Sequence, residues 1–66
     1  MIYKTFFVDK TFEAGVEIGS LRAHLAGQGS GELVIEKDYG DCVEVRIGVY
    51  NPLVMTYAQE RIANFV

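Results

Sequence analysis

The chain has no tryptophan, one cysteine, one proline and one histidine among its 66 residues. The single cysteine, Cys42, excludes an internal disulfide framework and a zinc site built from cysteines. No apolar run approaches the ~20 residues that span a bilayer, so we expect no membrane partner. The opening residues, MIYKTFFVDK, lack the pattern of a signal peptide. Together these features predict a cytoplasmic protein.

Positive charge is also scarce. Six lysines and arginines stand against nine aspartates and glutamates, which gives a formal net charge of -3. Nucleic-acid binders usually carry a clustered basic surface, and membrane-surface segments carry clustered lysines and arginines. The charge balance therefore makes a nucleic-acid partner an unfavourable interpretation.

The short length raises a problem of stability. We expect one small globular domain over residues 1–66. A domain of about 60 residues buries only ~60% of the surface that its unfolded chain exposes. Small folds usually add disulfides, a metal or self-association. The first two remedies lack the necessary residues here, so the sequence predicts a homo-oligomer, with a dimer favoured and a further protein partner possible.

The apolar pattern in the first third of the chain predicts two strands. Ile2 to Asp9 is rich in β-branched and aromatic residues. Apolar and polar or glycine positions then alternate from Phe12 to Ile18, which is the period of a half-buried strand. A helix over that stretch would contain Gly15 and Gly19, each costing ~1 kcal/mol relative to alanine. We therefore expect extended backbone over 12–18.

The rest of the chain supplies two helices and two more strands. Ser20 is a suitable N-cap for a short helix over 21–26, with Gly27 after it. Strands are expected over 33–37 and 43–49, and Asn51-Pro52 is a strong start for a helix that runs nearly to the end. The predicted fold is α+β: a four-stranded antiparallel sheet in β-β-α-β-β-α order with both helices packed on one face. This order also permits an internal duplication of a hairpin and a helix.

Alternation along the strands predicts which side chains lie on the uncovered face of the sheet. That face carries several glutamates and a group of apolar or aromatic side chains. Scattered exposed apolar residues are normal, so a solvated surface is one interpretation. The other is an interface, most simply with a second copy of the chain. The candidate interface residues are Tyr3, Thr5, Phe7, Val34 and Tyr50, and their placement depends on residues 12–18 forming a strand.

Three side chains are weak candidates for binding a ligand: His24, Tyr39 and Cys42. His24 has no carboxylate at a spacing that would orient it for catalysis. The thiol of Cys42 lies between Asp41 and Glu44, whose charges oppose its ionisation. The glycine-rich stretch 27–31 follows a helix and enters a strand, whereas phosphate loops follow a strand and enter a helix. We predict no catalytic residues, no metal site and no cofactor.

These observations favour a self-associating protein-interaction module, adaptor or regulatory, without an evident catalytic site. The alternative is a small-molecule-binding domain whose pocket forms between protomers and is lined by tyrosines and His24. An enzyme that assembles its site from several chains is a third and less favoured interpretation, because the sequence contains no reactive constellation.

Overall fold

In a computed structural model, which describes all residues from 1 to 66, the chain forms three strands, two α-helices and a final 3-10 turn. In chain order these are β1 (Ile2–Asp9), α1 (Phe12–Gln28), β2 (Gly31–Asp38), β3 (Cys42–Val49), α2 (Pro52–Ile62) and the turn Ala63–Phe65.

The strands make one sheet in the order β1-β3-β2, and β3 is antiparallel to both neighbours. Val45 of β3 lies opposite Phe6 on one side and Ile35 on the other. β1 and β2 therefore run parallel with β3 between them, which is a split β-α-β arrangement. Between Ile35 and Lys37 a bulge interrupts the pairing of β2.

The predicted four-stranded sheet is wrong, because residues 12–18 belong to helix α1. Its buried side chains are Ala14, Ile18, Leu21 and Leu25, spaced by four, three and four residues. This helical spacing spans three turns, and burying the four side chains outweighs the propensity cost of Gly15 and Gly19. Without the first hairpin, the proposed duplication has no structural counterpart.

The ends of α1 also differ from the predicted ones. The Thr11 side chain is the N-cap and accepts a hydrogen bond of 3.1 Å from the backbone N–H of Ala14. Gly29, not Gly27, has the left-handed backbone after the helix, with φ of 64°. Ser20, the expected cap, lies inside the helix, where its hydroxyl accepts a 3.0 Å hydrogen bond from Arg61.

The predicted start of α2 is confirmed. Asn51 caps the helix by accepting a 2.9 Å hydrogen bond from the N–H of Leu53, and Pro52 occupies the first turn. Near the other end, Arg61 donates to Glu17 of α1 and to the Tyr57 hydroxyl, the latter at 2.6 Å. The carboxylate of Glu17 is the main cause that raises the pKa of Arg61. Arg61 thus joins the two helices on their solvent side.

Both helices pack against the same face of the sheet. Alternate positions of β3, namely Val45, Ile47 and Val49, are fully buried beneath them. The complete core consists of Val8, Ala14, Ile18, Leu21, Leu25, Leu33, Val45, Ile47, Val49, Met55, Ala58 and Ile62. The opposite face of the sheet and the outward side of α1 are left without a covering layer.

Candidate interaction site

The uncovered face of the sheet holds four of the five predicted interface residues. Tyr3, Thr5 and Phe7 alternate along β1, and the register places Thr5 and Val34 on opposite sides of Arg46. These side chains share a face although 12–18 is helical, because β3 pairs directly with both β1 and β2. The fifth residue, Tyr50, directly follows β3 and is exposed.

At one end of this face, charge and aromatic surface are paired within the chain. The guanidinium of Arg46 lies 5.0 Å from the centre of the Tyr3 ring. The same guanidinium forms an ion pair of 3.1 Å with Glu36. Tyr3 is half exposed, but a cation already lies on its ring.

The other end of the face is organised around Tyr39, in the turn between β2 and β3. Its ring centre lies 6.1 Å from that of Phe7, and the ammonium of Lys37 lies 5.0 Å from its centre. The hydroxyl donates a 2.8 Å hydrogen bond to Glu44, and this bond raises the pKa of Tyr39. The weak ligand candidate Tyr39 is therefore part of the network on the sheet.

The other two ligand candidates lie in different surroundings. The ring of His24, on α1, packs 5.4 Å from the ring of Tyr57 on α2. Cys42 begins β3 and is partly buried. Burial and the nearby carboxylate of Asp41 raise the pKa of its thiol. The structure thus separates His24, in the crevice between the helices, from Cys42, at the end of the sheet.

Sequence reasoning missed a groove between the first half of α1 and the end of the sheet. Its floor is apolar and consists of Ile18, Ile35 and Val43, and its volume is about 190 Å³. Gly15 and Gly19 form the wall on α1, and a Cβ added to either would meet no atom within 4 Å. The missing side chains leave Ile35 50% exposed on the helix-covered side of the sheet.

Three charged residues line the rim of this groove: Asp9, Lys10 and Arg22. Lys10 is held by Asp38 at 2.7 Å, and this bond lowers the pKa of the Asp38 carboxyl. Asp9 and Arg22 form no ion pair within the chain. The rim therefore offers one uncompensated charge of each sign.

The outward side of α1 continues from the groove as a stripe without charge. Phe12, Gly15, Val16, Gly19 and Ala23 follow helical spacing and are all exposed. Phe12 is 86% exposed and Val16 is 56% exposed. We call these five residues the α1 stripe. The helical spacing of these residues is visible in the sequence, but the strand predicted over 12–18 places Phe12 and Val16 on the same side as the buried Ala14 and Ile18.

No known protein family, curated protein or solved structure matches the chain. None of the helices is long and apolar enough to cross a bilayer. Side chains of histidine, cysteine, aspartate and glutamate do not gather in groups of three or more that could hold a metal ion. The candidate interaction site consists of three surfaces: the open sheet face, the α1 stripe and the groove beside it.

Proposed function

We propose that the chain is a self-associating protein-interaction module. The observation that carries this proposal is the balance of buried and exposed apolar side chains. The core contains 12 residues, and 12 large apolar or aromatic side chains are exposed. Isolated exposed apolar residues are ordinary, whereas contiguous patches are typical of interaction surfaces.

Exposed apolar side chains on two sides of the molecule support the proposal. The open sheet face presents Tyr3 and Phe7, and the α1 stripe presents Phe12 and Val16. α1 is apolar on the side that faces the sheet and also on the side that faces solvent. Packing against the sheet uses only one of these two sides, so the other is a surface that a partner can cover.

Self-association also fits the size of the chain. A core of 12 residues, two of them alanine, is small, and a second copy would remove further apolar surface from water. A whole aromatic side chain buries roughly 150–250 Å², and Phe12, at 86% exposed, still has most of that surface in water. Association then stabilises the fold by mass action.

Sedimentation equilibrium of the untagged chain tests this function. We expect a mass of about 14.8 kDa, twice the 7.4 kDa of one chain, in the micromolar range. The unfolding midpoint should rise with protein concentration, as it does when folding and association are linked. A mass of 7.4 kDa at millimolar concentration, with a midpoint independent of concentration, would overturn the proposal.

The alternative function is small-molecule binding. A groove within one chain, at Ile18, Ile35 and Val43, favours binding of a small molecule, whereas a pocket between protomers stays a prediction. The apolar floor and charged rim of the groove are typical of a ligand site. Methyl signals of these three residues should shift when short aliphatic or aromatic carboxylates are titrated into the chain. Unchanged signals at millimolar ligand would count against this alternative.

A cytoplasmic location stays a prediction. The partly buried thiol of Cys42 is free, and free thiols persist most readily in a reducing compartment. Fractionation of cells that express the full chain would test the location.

A further inference from the structure

We propose that α1 of one copy packs antiparallel against α1 of a second copy across a two-fold axis. In this pairing Phe12 of each copy occupies the groove beside Gly15 and Gly19 of the other. The inference rests on the proposed function and names the surface and the geometry through which that function operates.

The spacing along α1 fits an antiparallel pairing centred between Gly15 and Val16. This register places Gly15 opposite Val16 of the partner and Phe12 opposite Gly19. Small residues at a helix crossing let the two backbones approach closely. The largest side chain of the α1 stripe then meets the position where the facing helix has no side chain.

The groove has the volume and the lining that an aromatic ring requires. It measures about 190 Å³ and has an apolar floor of Ile18, Ile35 and Val43. An apolar cavity of about 150 Å³ is large enough to hold benzene. Phe12, at 86% exposed, is the most exposed of the large apolar side chains in the chain.

The same register pairs the two free charges on the rim. Asp9 ends β1, just before the start of α1, whereas Arg22 lies beyond Gly19 along the helix. An antiparallel pairing therefore brings Asp9 of one copy towards Arg22 of the partner, and the two-fold axis repeats this pair. Both residues line the groove, and neither forms an ion pair within its own chain. Lys10, the other cation on the rim, is already bound to Asp38. Charge complementarity therefore selects the antiparallel direction.

The features of this surface fit a second copy of the chain as the partner that binds the groove. The protruding side chain, the recess and both charges lie on one surface, as a two-fold interface requires. The open sheet face differs, because Arg46 and Lys37 already lie on the rings of Tyr3 and Tyr39.

The two glycines have no other structural role in the chain. Neither has a positive φ, and neither lies against another element. Glycine is, after proline, the least favourable residue inside a helix. A partner backbone at Gly15 and Gly19 gives these positions a reason to lack a side chain.

The first test removes the protruding side chain and fills the recess in separate variants. Phe12→Ala should raise the dissociation constant of the dimer at least about 100-fold, because each dimer loses two buried rings. Gly19→Leu should weaken it at least about tenfold, because the new side chain fills the groove of its own copy, which Phe12 of the partner would enter. Circular dichroism should show that both variants keep their helices.

Gly27→Leu is the matched control for Gly19→Leu. It makes the same change in the same helix at a position where an added Cβ also meets no atom within 4 Å. It lies more than two turns from the centre of the proposed contact. Its dissociation constant should stay within about threefold of the wild-type value.

The second test exchanges the two charges. Asp9→Lys alone and Arg22→Glu alone should each weaken the dimer about tenfold. The double variant restores both intermolecular pairs, so its dissociation constant should return to within about threefold of wild type. Failure of this rescue would overturn the antiparallel register.

The outcomes separate this inference from the proposed function. If the wild-type chain dimerises but Phe12→Ala and Gly19→Leu dimerise equally well, the α1 pairing is wrong and self-association stands. In that case Phe7→Ser should break the dimer, which would place the contact on the open sheet face. A wild-type chain that stays monomeric at millimolar concentration overturns both proposals, and small carboxylates that shift the methyl signal of Ile35 would then identify the occupant of the groove.

Discussion

Gly31, the first residue of β2, lies directly against the backbone carbonyl of Gly48 in β3. A Cβ on Gly31 would overlap that carbonyl oxygen and also approach the Cα of Val49 at 3.2 Å. Backbone atoms inside a sheet cannot move aside independently. The close approach of the two strands at this point therefore requires glycine at position 31.

Gly31→Ala should accordingly lower the free energy of unfolding by about 1–3 kcal/mol, the range typical of overpacking. Urea denaturation, followed by circular dichroism at one fixed protein concentration, measures the change. Gly27→Ala is the control, because its Cβ meets no atom and alanine favours the helix. An unchanged midpoint for Gly31→Ala would contradict the close packing of β2 on β3.

Gly48→Ala should be milder, although its Cβ would also lie close to other atoms. The nearest are Cε1 of Tyr3 at 2.6 Å and the sulfur of Met1 at 2.7 Å. Both belong to side chains on the open face that can rotate into solvent. We expect a loss smaller than that of Gly31→Ala, because these side chains can move aside whereas the strand backbone cannot.

A nuclear magnetic resonance spectrum of Gly48→Ala should show the displaced ring. Signals of Tyr3 and of the Arg46 guanidinium should shift together, because Arg46 lies on that ring. Loss of stability equal to that of Gly31→Ala would mean that Tyr3 is held in place more firmly than its half-exposed position indicates.

The N-cap of α1 provides a direct test of where this helix begins. Thr11→Ala removes the oxygen that accepts from the N–H of Ala14, so it should cost about 1 kcal/mol. Thr11→Ser keeps the oxygen and should preserve most of the stability. Ser20→Ala should cost less than about 1 kcal/mol, since it loses one exposed hydrogen bond. The reverse order, measured by urea denaturation, would support the shorter helix that the sequence predicted.

The thiol of Cys42 should react slowly with a disulfide reagent near pH 8. Burial and the charge of Asp41 raise its pKa, so less of the reactive thiolate is present than in the unfolded chain. The rate should keep rising at pH values where the urea-unfolded chain has already reached its plateau. Asp41→Asn should move the inflection to lower pH, and Asp41→Glu, which keeps the charge, is the control.

Much of the fold follows from local signals in the sequence. The alternation from Val43 to Val49 predicts β3, and Asn51-Pro52 predicts the start of α2; both are observed. The strand predicted over 12–18 is wrong, because apolar residues at every second position fit two structures. Ala14 and Ile18 belong to this alternation, but they are also four residues apart and share one side of a helix. Reading on to Leu21 and Leu25 shows the helical period, but a window of seven residues does not.

Of the candidate surfaces, the open sheet face follows from a local pattern in the sequence, whereas the groove does not. The placement of Tyr3, Thr5 and Phe7 on one face needs only the parity of a single strand, so it was predictable. The groove needs the tertiary arrangement, because Ile18 and Ile35 come from different elements and the gap between them arises where Gly15 and Gly19 lack side chains. No local pattern indicates such a gap until α1 is recognised.

The position of β3 between β1 and β2 also sets the order in which the sheet can assemble. β2 and β3 are joined by a short turn, so they can form a hairpin locally, whereas β1 must wait for a partner encoded far along the chain. During synthesis on the ribosome, β1 has no strand to pair with until β3 has emerged. Docking of β1 onto this hairpin should therefore be a slow step in folding, and α1 is the segment that joins β1 to it.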